Sequence, residues 1–188
     1  QSFDRRALGL SAGRGESMLL ELRDRLRLQG ELPLLPSGWK AEVEQQQAGG
    51  SSFGGDFLLA TVTDDGRSME LVLVDVSGKG VEAGTRALML SGALGGLLGA
   101  VPPAGFLKAA NDYLIRQEWG EGFATALHLT INLVSGHYRI TNAGHPPAVH
   151  YAGGTGVWQV VEPKGMVLGL LPDAEFGWVE GELRRYDA

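Results

Sequence analysis

From Glu16 to Gln29 the apolar residues Met18, Leu19, Leu22 and Leu26 recur at helical spacing, and Glu21 stands one turn ahead of Arg25. The pattern predicts an amphipathic helix. Leu32-Pro33-Leu34-Leu35-Pro36-Ser37-Gly38 ends it, because proline removes backbone donors and biases its predecessor toward extended geometry. The chain therefore divides into a helical linker or regulatory helix, residues 1–36, and a domain over residues 37–188. In the domain, Lys40 to Gln45, Phe57 to Val62 and Met69 to Val76 read as strands, the last two joined by the turn signal Asp64-Asp65-Gly66. Met69 to Val74 is nearly all apolar, as a strand covered on both faces would be. Two helices are predicted next, Glu82 to Gly99 and Pro103 to Glu118, the second with Phe106, Ala109, Ala110, Tyr113 and Leu114 on one side. The remaining runs, Phe123 to Asn132, His137 to Thr141, Ala148 to Tyr151, Val157 to Val161 and Phe176 to Tyr186, read as strands between turns such as Ser135-Gly136 and Gly153-Gly154-Thr155-Gly156. Strands, a helix pair and more strands, with little βαβ alternation, predict an α+β layered domain with mainly antiparallel sheets.

Composition narrows the picture. At 188 residues the chain supports one core. Glycine, with 29 copies, is about twice as frequent as usual, which implies many tight turns or close backbone approaches. Sixteen basic against 22 acidic residues leave a net charge of −6, the wrong sign for neutralising a nucleic-acid backbone. The absence of cysteine removes disulfides, thiol nucleophiles and Cys-ligated zinc, and suits a reducing cytoplasm. Ala87 to Leu107 is uncharged and carries Gly92-x-x-x-Gly96 and Gly95-x-x-x-Gly99, but Pro102-Pro103 interrupts it short of the ~20 residues that a membrane span needs. It is expected to be a helix packed closely on a sheet. The chain opens at Gln1 with no signal segment and reads as a piece of a longer protein.

Candidate chemistry gathers in two segments, Phe53-Gly54-Gly55-Asp56 and Asp75-Val76-Ser77-Gly78-Lys79-Gly80. Each sets an aspartate where an apolar strand meets glycines, a position in which the carboxylate must be solvated, paired or metal-bound. Two such carboxylates brought together suit hard divalent cations. The alternative is that both merely cap turns. A phosphate-loop reading fails because Lys79 is not followed by Ser or Thr. In Asn142-Ala143-Gly144-His145-Pro146-Pro147, His145 either hydrogen-bonds the loop or does acid–base work. His128, His137 and His150 lack metal-ligand spacing, and a triad of Ser77, His145 and Asp75 fails for want of a Gly-x-Ser-x-Gly elbow.

Taken in order, Gly54-Gly55-Asp56, Asp75-Val76-Ser77-Gly78-Lys79-Gly80, Phe123-Ala124-Thr125-Ala126, Asn142-Ala143-Gly144-His145-Pro146-Pro147 and Leu168-Gly169-Leu170 resemble the SpoIIE/RsbU branch of the metal-dependent (type 2C) protein serine/threonine phosphatases. The resemblance runs from about Leu28 to the C-terminus and implies a four-layer α-β-β-α sandwich. It implies two Mn2+ or Mg2+ ions, with Asp75 bridging them, Asp56 binding one directly or through water, and the Val76 carbonyl as a further ligand. Asp56 and Asp75 are then the catalytic pair. The implied substrate is a phosphorylated anti-sigma-factor antagonist in a bacterial partner-switching pathway. An upstream sensor domain and a homodimer through the N-terminal helix are the other partners expected.

Phe53 and Lys79 stand where the branch often has Val and His. Family members also continue past the strand resembling Phe176 to Tyr186 into a Thr-Asp-Gly strand and a later acidic residue. The 188-residue chain is therefore expected to be C-terminally incomplete, to bind metal weakly and to turn over little or no substrate. The rival expectation is a degenerate, non-catalytic module that binds a phosphoprotein or transmits a signal.

Overall fold

Two antiparallel strands, β1 (Phe57–Val62) and β2 (Ser68–Val76), start the fold, with Phe57 opposite Val74 and Val62 opposite Met69. The computed structural model describes residues 17, 20, 21, 24, 25, 30–44, 55–78, 80–120 and 122–188, the side chain of Val81 apart. The turn between the strands is built by Asp65, whose carboxylate accepts the Thr63 hydroxyl at 2.6 Å and the Arg67 N–H at 3.0 Å. Gly66 sits at φ +68°, a conformation glycine adopts without strain.

Helices α1 (Gly80–Leu97) and α2 (Pro103–Arg116) follow, then β3 (Ala124–Asn132), β4 (His137–Ala143), β5 (Ala148–Ala152), β6 (Val157–Val161) and β7 (Trp178–Glu182). Their order is β1-β2-β3-β4-β7 in a five-stranded sheet and β5-β6 in a two-stranded one, every pairing between named strands being antiparallel. The α+β architecture with two antiparallel sheets is thus present.

Alternation along β2 decides the layers. Val72, Val74 and Val76 point with Phe57, Leu59, Ala124 and Ala126 into a core closed by Ala87, Leu90 and Leu94 of α1 and by Phe106, Leu107, Ala110 and Leu114 of α2. Each large side chain fully buried there contributes roughly 1.5–3 kcal/mol. On the opposite face, Met69, Ile131, Tyr138, Ile140 and Val161 form a second cluster, against which Leu35 and Trp39 pack. The Trp39 indole donates to the Leu133 carbonyl at 2.8 Å and so ties the proline-rich segment to the domain.

Three expectations change. Lys40 to Glu44 forms no strand, because Lys40, Glu42 and Glu44 are exposed and Val43 alone cannot make a buried face; Gln45 lies outside the described residues. The strand expected over Phe176 to Tyr186 is confined to Trp178–Glu182, since Arg184 to Asp187 closes a turn with Tyr186 at φ +73° and the Arg184 N–H on the Asp187 carboxylate. β2 is covered on both faces only at its start, where Met69 and Glu70 are both buried; Leu73, beside Asp75, is 37% exposed. The glycine-bearing helix packs on the sheet as expected, with Gly92, Gly95 and Gly96 on its outer side. All three are exposed, and a β-carbon there would meet nothing within 4 Å. The contact face of α1 is Ala83, Ala87, Leu90 and Leu94 instead.

Among the described residues, no helix is long and apolar enough to cross a membrane. Of the N-terminal helix, residues 17, 20, 21, 24 and 25 are helical, and Arg25 pairs with Glu21 at 2.7 Å as the spacing predicts. Leu19, Leu22 and Leu26 lie outside the described residues.

Candidate active site

One more step along the β1–β2 ladder from Phe57 and Val74 sets Asp56 opposite Asp75, and their carboxyl groups are hydrogen-bonded. Both residues are exposed, at the end of the sheet face that the helices leave open. Partial burial, then the hydrogen bond to Asp75, then the Asp75 charge push the Asp56 carboxyl up to about 6. Gly55 permits the approach. The Val76 N–H donates to the Gly55 carbonyl at 3.4 Å, and a β-carbon on Gly55 would sit 2.5 Å from the Val76 carbonyl oxygen. That carbonyl therefore lies against the β1 backbone. Phe53, Gly54 and Lys79 lie outside the described residues.

The row continues across the sheet. Asp75 is opposite Thr125 and Val76 opposite Ala124. Just beyond, the Ser77 N–H donates to the Phe123 carbonyl and the Phe123 N–H to the Ser77 hydroxyl, both at 2.9 Å. Ser77 is thereby engaged in closing the loop, and its hydroxyl contacts Phe123 rather than His145. Thr125 Oγ1 instead lies 2.8 Å from His145 Nδ1. The His145 backbone is held twice by Asn142, whose Oδ1 accepts its N–H at 2.7 Å and whose Nδ2 donates to its carbonyl at 2.8 Å. Burial lowers the His145 pKa, and the Asp75 charge opposes that shift.

The fifth motif joins the same end of the sheet. Leu168 exchanges backbone hydrogen bonds with Ala124 at 2.8 and 3.1 Å. Asn111, buried on α2, accepts the Gly169 N–H and donates to the Leu171 carbonyl, each at 2.8 Å. Asn111 escaped the sequence reading because a lone Asn in a helix carries no motif. Asn142 and Thr125 were quoted without a role, and only the strand register shows that Thr125 neighbours Asp75.

The other histidines are used elsewhere. His128 Nε2 meets Glu70 Oε1 at 2.7 Å inside the helix-side core, under the stacked ring of Phe106. His150 lies between the Tyr138 hydroxyl, 3.3 Å away, and the Asp187 carboxylate, 3.4 Å away. A cleft of about 1050 Å³ occupies the other end of the five-stranded sheet, lined by Thr61, Glu70, Thr130, Arg139 and Glu180, and contains none of the site residues.

The donor set at Asp56 and Asp75 is chemically suited to a hard divalent cation. Both donors are carboxyl oxygens, they converge at a solvent-facing edge, and a cation between them relieves the repulsion that arises once both are ionised. Among the described residues, no group of three or more Asp, Glu, His or Cys side chains is arranged to hold a metal.

Known proteins share the sequence pattern and the fold of this chain. Residues 65–188 match the family model of Stage II sporulation protein E (SpoIIE). Phosphoserine phosphatase RsbU of Bacillus subtilis (strain 168) is 26% identical over 124 residues, which are 65% of this chain and 37% of that protein. A crystal structure of the RsbU and RsbW domains of a Mycobacterium tuberculosis protein superposes with a TM-score of 0.62 at 29% identity, over 74% of this chain and 38% of that one. The PP2C phosphatase domain of Bacillus subtilis SpoIIE, with a fragment of its regulatory domain, superposes at 0.61 and 18% identity, over 71% of this chain and 39% of that one, and shows the shared fold. The matched parts span somewhat over a third of these relatives' length.

Proposed function

The chain belongs to the SpoIIE family, and on that premise we propose that it hydrolyses phosphoserine or phosphothreonine on a regulatory protein at the Asp56–Asp75 end of its large sheet. The observation that carries the reading is the approach of two aspartates, Asp56 just ahead of β1 and Asp75 near the end of β2, their carboxyl groups in hydrogen-bond contact at an open edge. Asp56, Asp75 and the Val76 carbonyl would hold Mn2+ or Mg2+, two ions in the complete site. Bound metal supplies charge neutralisation for the phosphoryl oxygens and a water acidic enough to attack phosphorus. The protein's part is to fix the carboxylates where the paired strands β1 and β2 meet their loops and keep the edge open to a macromolecular substrate. The substrate class is a phosphorylated anti-sigma-factor antagonist in the cytoplasm. An upstream sensor domain and a homodimer through the N-terminal helix would relay the signal.

A degenerate, phosphoprotein-binding module is the second reading, favoured by the lack of a third metal-ligating side chain among the described residues. Turnover of a phosphoserine peptide by the full-length protein in Mn2+, with Asp75→Asn beside it, decides between them. Hydrolysis by the full-length protein that falls at least about 100-fold in Asp75→Asn supports the enzyme. Tight phosphopeptide binding without turnover supports the module.

A further inference from the structure

Asn142 holds the turn at His145 without using the ring, because it takes up both of that residue's backbone groups. The imidazole is not needed for loop closure, yet it is aligned as well, by a 2.8 Å contact between its Nδ1 and the hydroxyl of Thr125. Thr125 is the cross-strand neighbour of Asp75, so the ring extends the row Asp56, Asp75, Thr125 by one more side chain. It lies near enough to feel the charge of Asp75. When the Thr125 hydroxyl donates to Nδ1, as the proposal below requires, a neutral ring carries its proton on Nε2. Among the described residues Nε2 has no hydrogen-bond partner.

Resting on the phosphatase reading above, we infer that His145 contacts the substrate, its Nε2–H donating to the bridging seryl or threonyl oxygen of the phosphomonoester. Negative charge develops on that oxygen as its bond to phosphorus breaks, and a donor fixed in advance stabilises it more in the transition state than in the bound ester. The oxygen of water forms the new bond to phosphorus, the bond from phosphorus to the seryl oxygen breaks, and one proton of that water ends on the seryl oxygen. Serine hydroxyl and hydrogen phosphate result, and His145 keeps its proton throughout. Thr125 is a positioning residue in this scheme, since it acts through the ring.

Leaving-group dependence tests the assignment. The full-length gene product in Mn2+ is assayed on a phosphoserine peptide, whose alkoxide leaves poorly, and on para-nitrophenyl phosphate, whose phenolate leaves well. For His145→Gln, kcat on the peptide falls about 100-fold while kcat on the aryl phosphate falls less than about 3-fold. Thr125→Val shows the same split to a smaller degree and serves if the first variant does not fold. A readout independent of turnover is the ring 15N spectrum of the wild type at neutral pH, expected to report the Nε2–H tautomer. Equal losses on both substrates, no loss on either, or an Nδ1–H tautomer each remove His145 from this role. When wild type turns over both substrates but His145→Gln matches it, the phosphatase reading stands and the assignment falls. Absence of wild-type turnover on both substrates removes the reading and the assignment with it.

Discussion

Two carboxylates on one strand, Glu70 and Asp75, meet opposite fates. Five residues apart in β2, they point to opposite faces of the sheet. Glu70 faces the helices, is 7% exposed, and is matched by His128 at 2.7 Å and by the Gly99 N–H at 2.9 Å. It joins the sheet to the corner between α1 and α2. Asp75 faces the open side, is exposed, and is opposed by a second acid, Asp56. Complementary partners serve the fold at one end; like charges, unfavourable for the fold, are held together at the other, where a bound cation would relieve them.

The largest expected effect breaks the complementary end. Glu70→Ala strips a buried partner from His128 and from Gly99 and should cost about 3–5 kcal/mol in urea unfolding, because the groups left behind stay buried. A loss below about 1 kcal/mol would mean that the pair is hydrated and does not anchor the corner.

Gly55→Ala strikes the like-charge end through the backbone. Its β-carbon would lie 2.5 Å from the Val76 carbonyl oxygen, so β1 must shift. Overpacking of this kind costs about 1–3 kcal/mol, and Mn2+ affinity measured by calorimetry on the full-length protein should fall with it. Unchanged stability and unchanged metal affinity would show that the edge absorbs the methyl without moving its carboxylates.

The pH response sharpens the contrast further. Asp56 has its folded-state pKa raised from 3.8 to about 6, so the folded chain holds that proton more tightly than the unfolded one. Its contribution to stability is present below about pH 4 and is lost as pH rises through about 6. Without metal, wild type should therefore lose stability relative to Asp56→Asn across that window, read as the difference between their urea midpoints at each pH. A difference that is flat with pH would show that the carboxyl groups do not interact.

Arg139→Lys gives the smallest effect. Arg139 lies at the Glu70 end, its guanidinium carbon 3.9 Å from the centre of the Trp178 ring. Losing that stacking should cost about 0.5–1 kcal/mol and leave phosphopeptide turnover unchanged. A fall in turnover would mean that the two ends of the sheet are coupled.

Most elements were legible because their signals are local. The apolar runs of Phe57 to Val62 and of β2, the Asp64-Asp65-Gly66 turn, and the helical stripe of Phe106, Ala110 and Leu114 all depend on residues within a turn or two. Lys40 to Glu44 misled for the same reason, since alternation without a partner strand makes no ladder. The helix expected to pack on the sheet does so through Ala87, Leu90 and Leu94, because helical phase puts Gly92, Gly95 and Gly96 on the outside.

By itself the sequence determined that two aspartates end apolar strands beside glycines, and that a histidine follows in a tight turn. It also determined the order of motifs that ties the chain to its family. Only tertiary structure decided that Asp56 stands opposite Asp75, that Thr125 completes the row and takes the His145 ring, and that His128 turns inward to Glu70, 58 residues away. The physical reason is register. A strand's own pattern says which face each side chain takes, but a slip of one residue against its neighbour exchanges the faces and changes every partner. Burial of the valines of β2 against α1 and α2 selects one register, and that selection brings the acids together at the open edge.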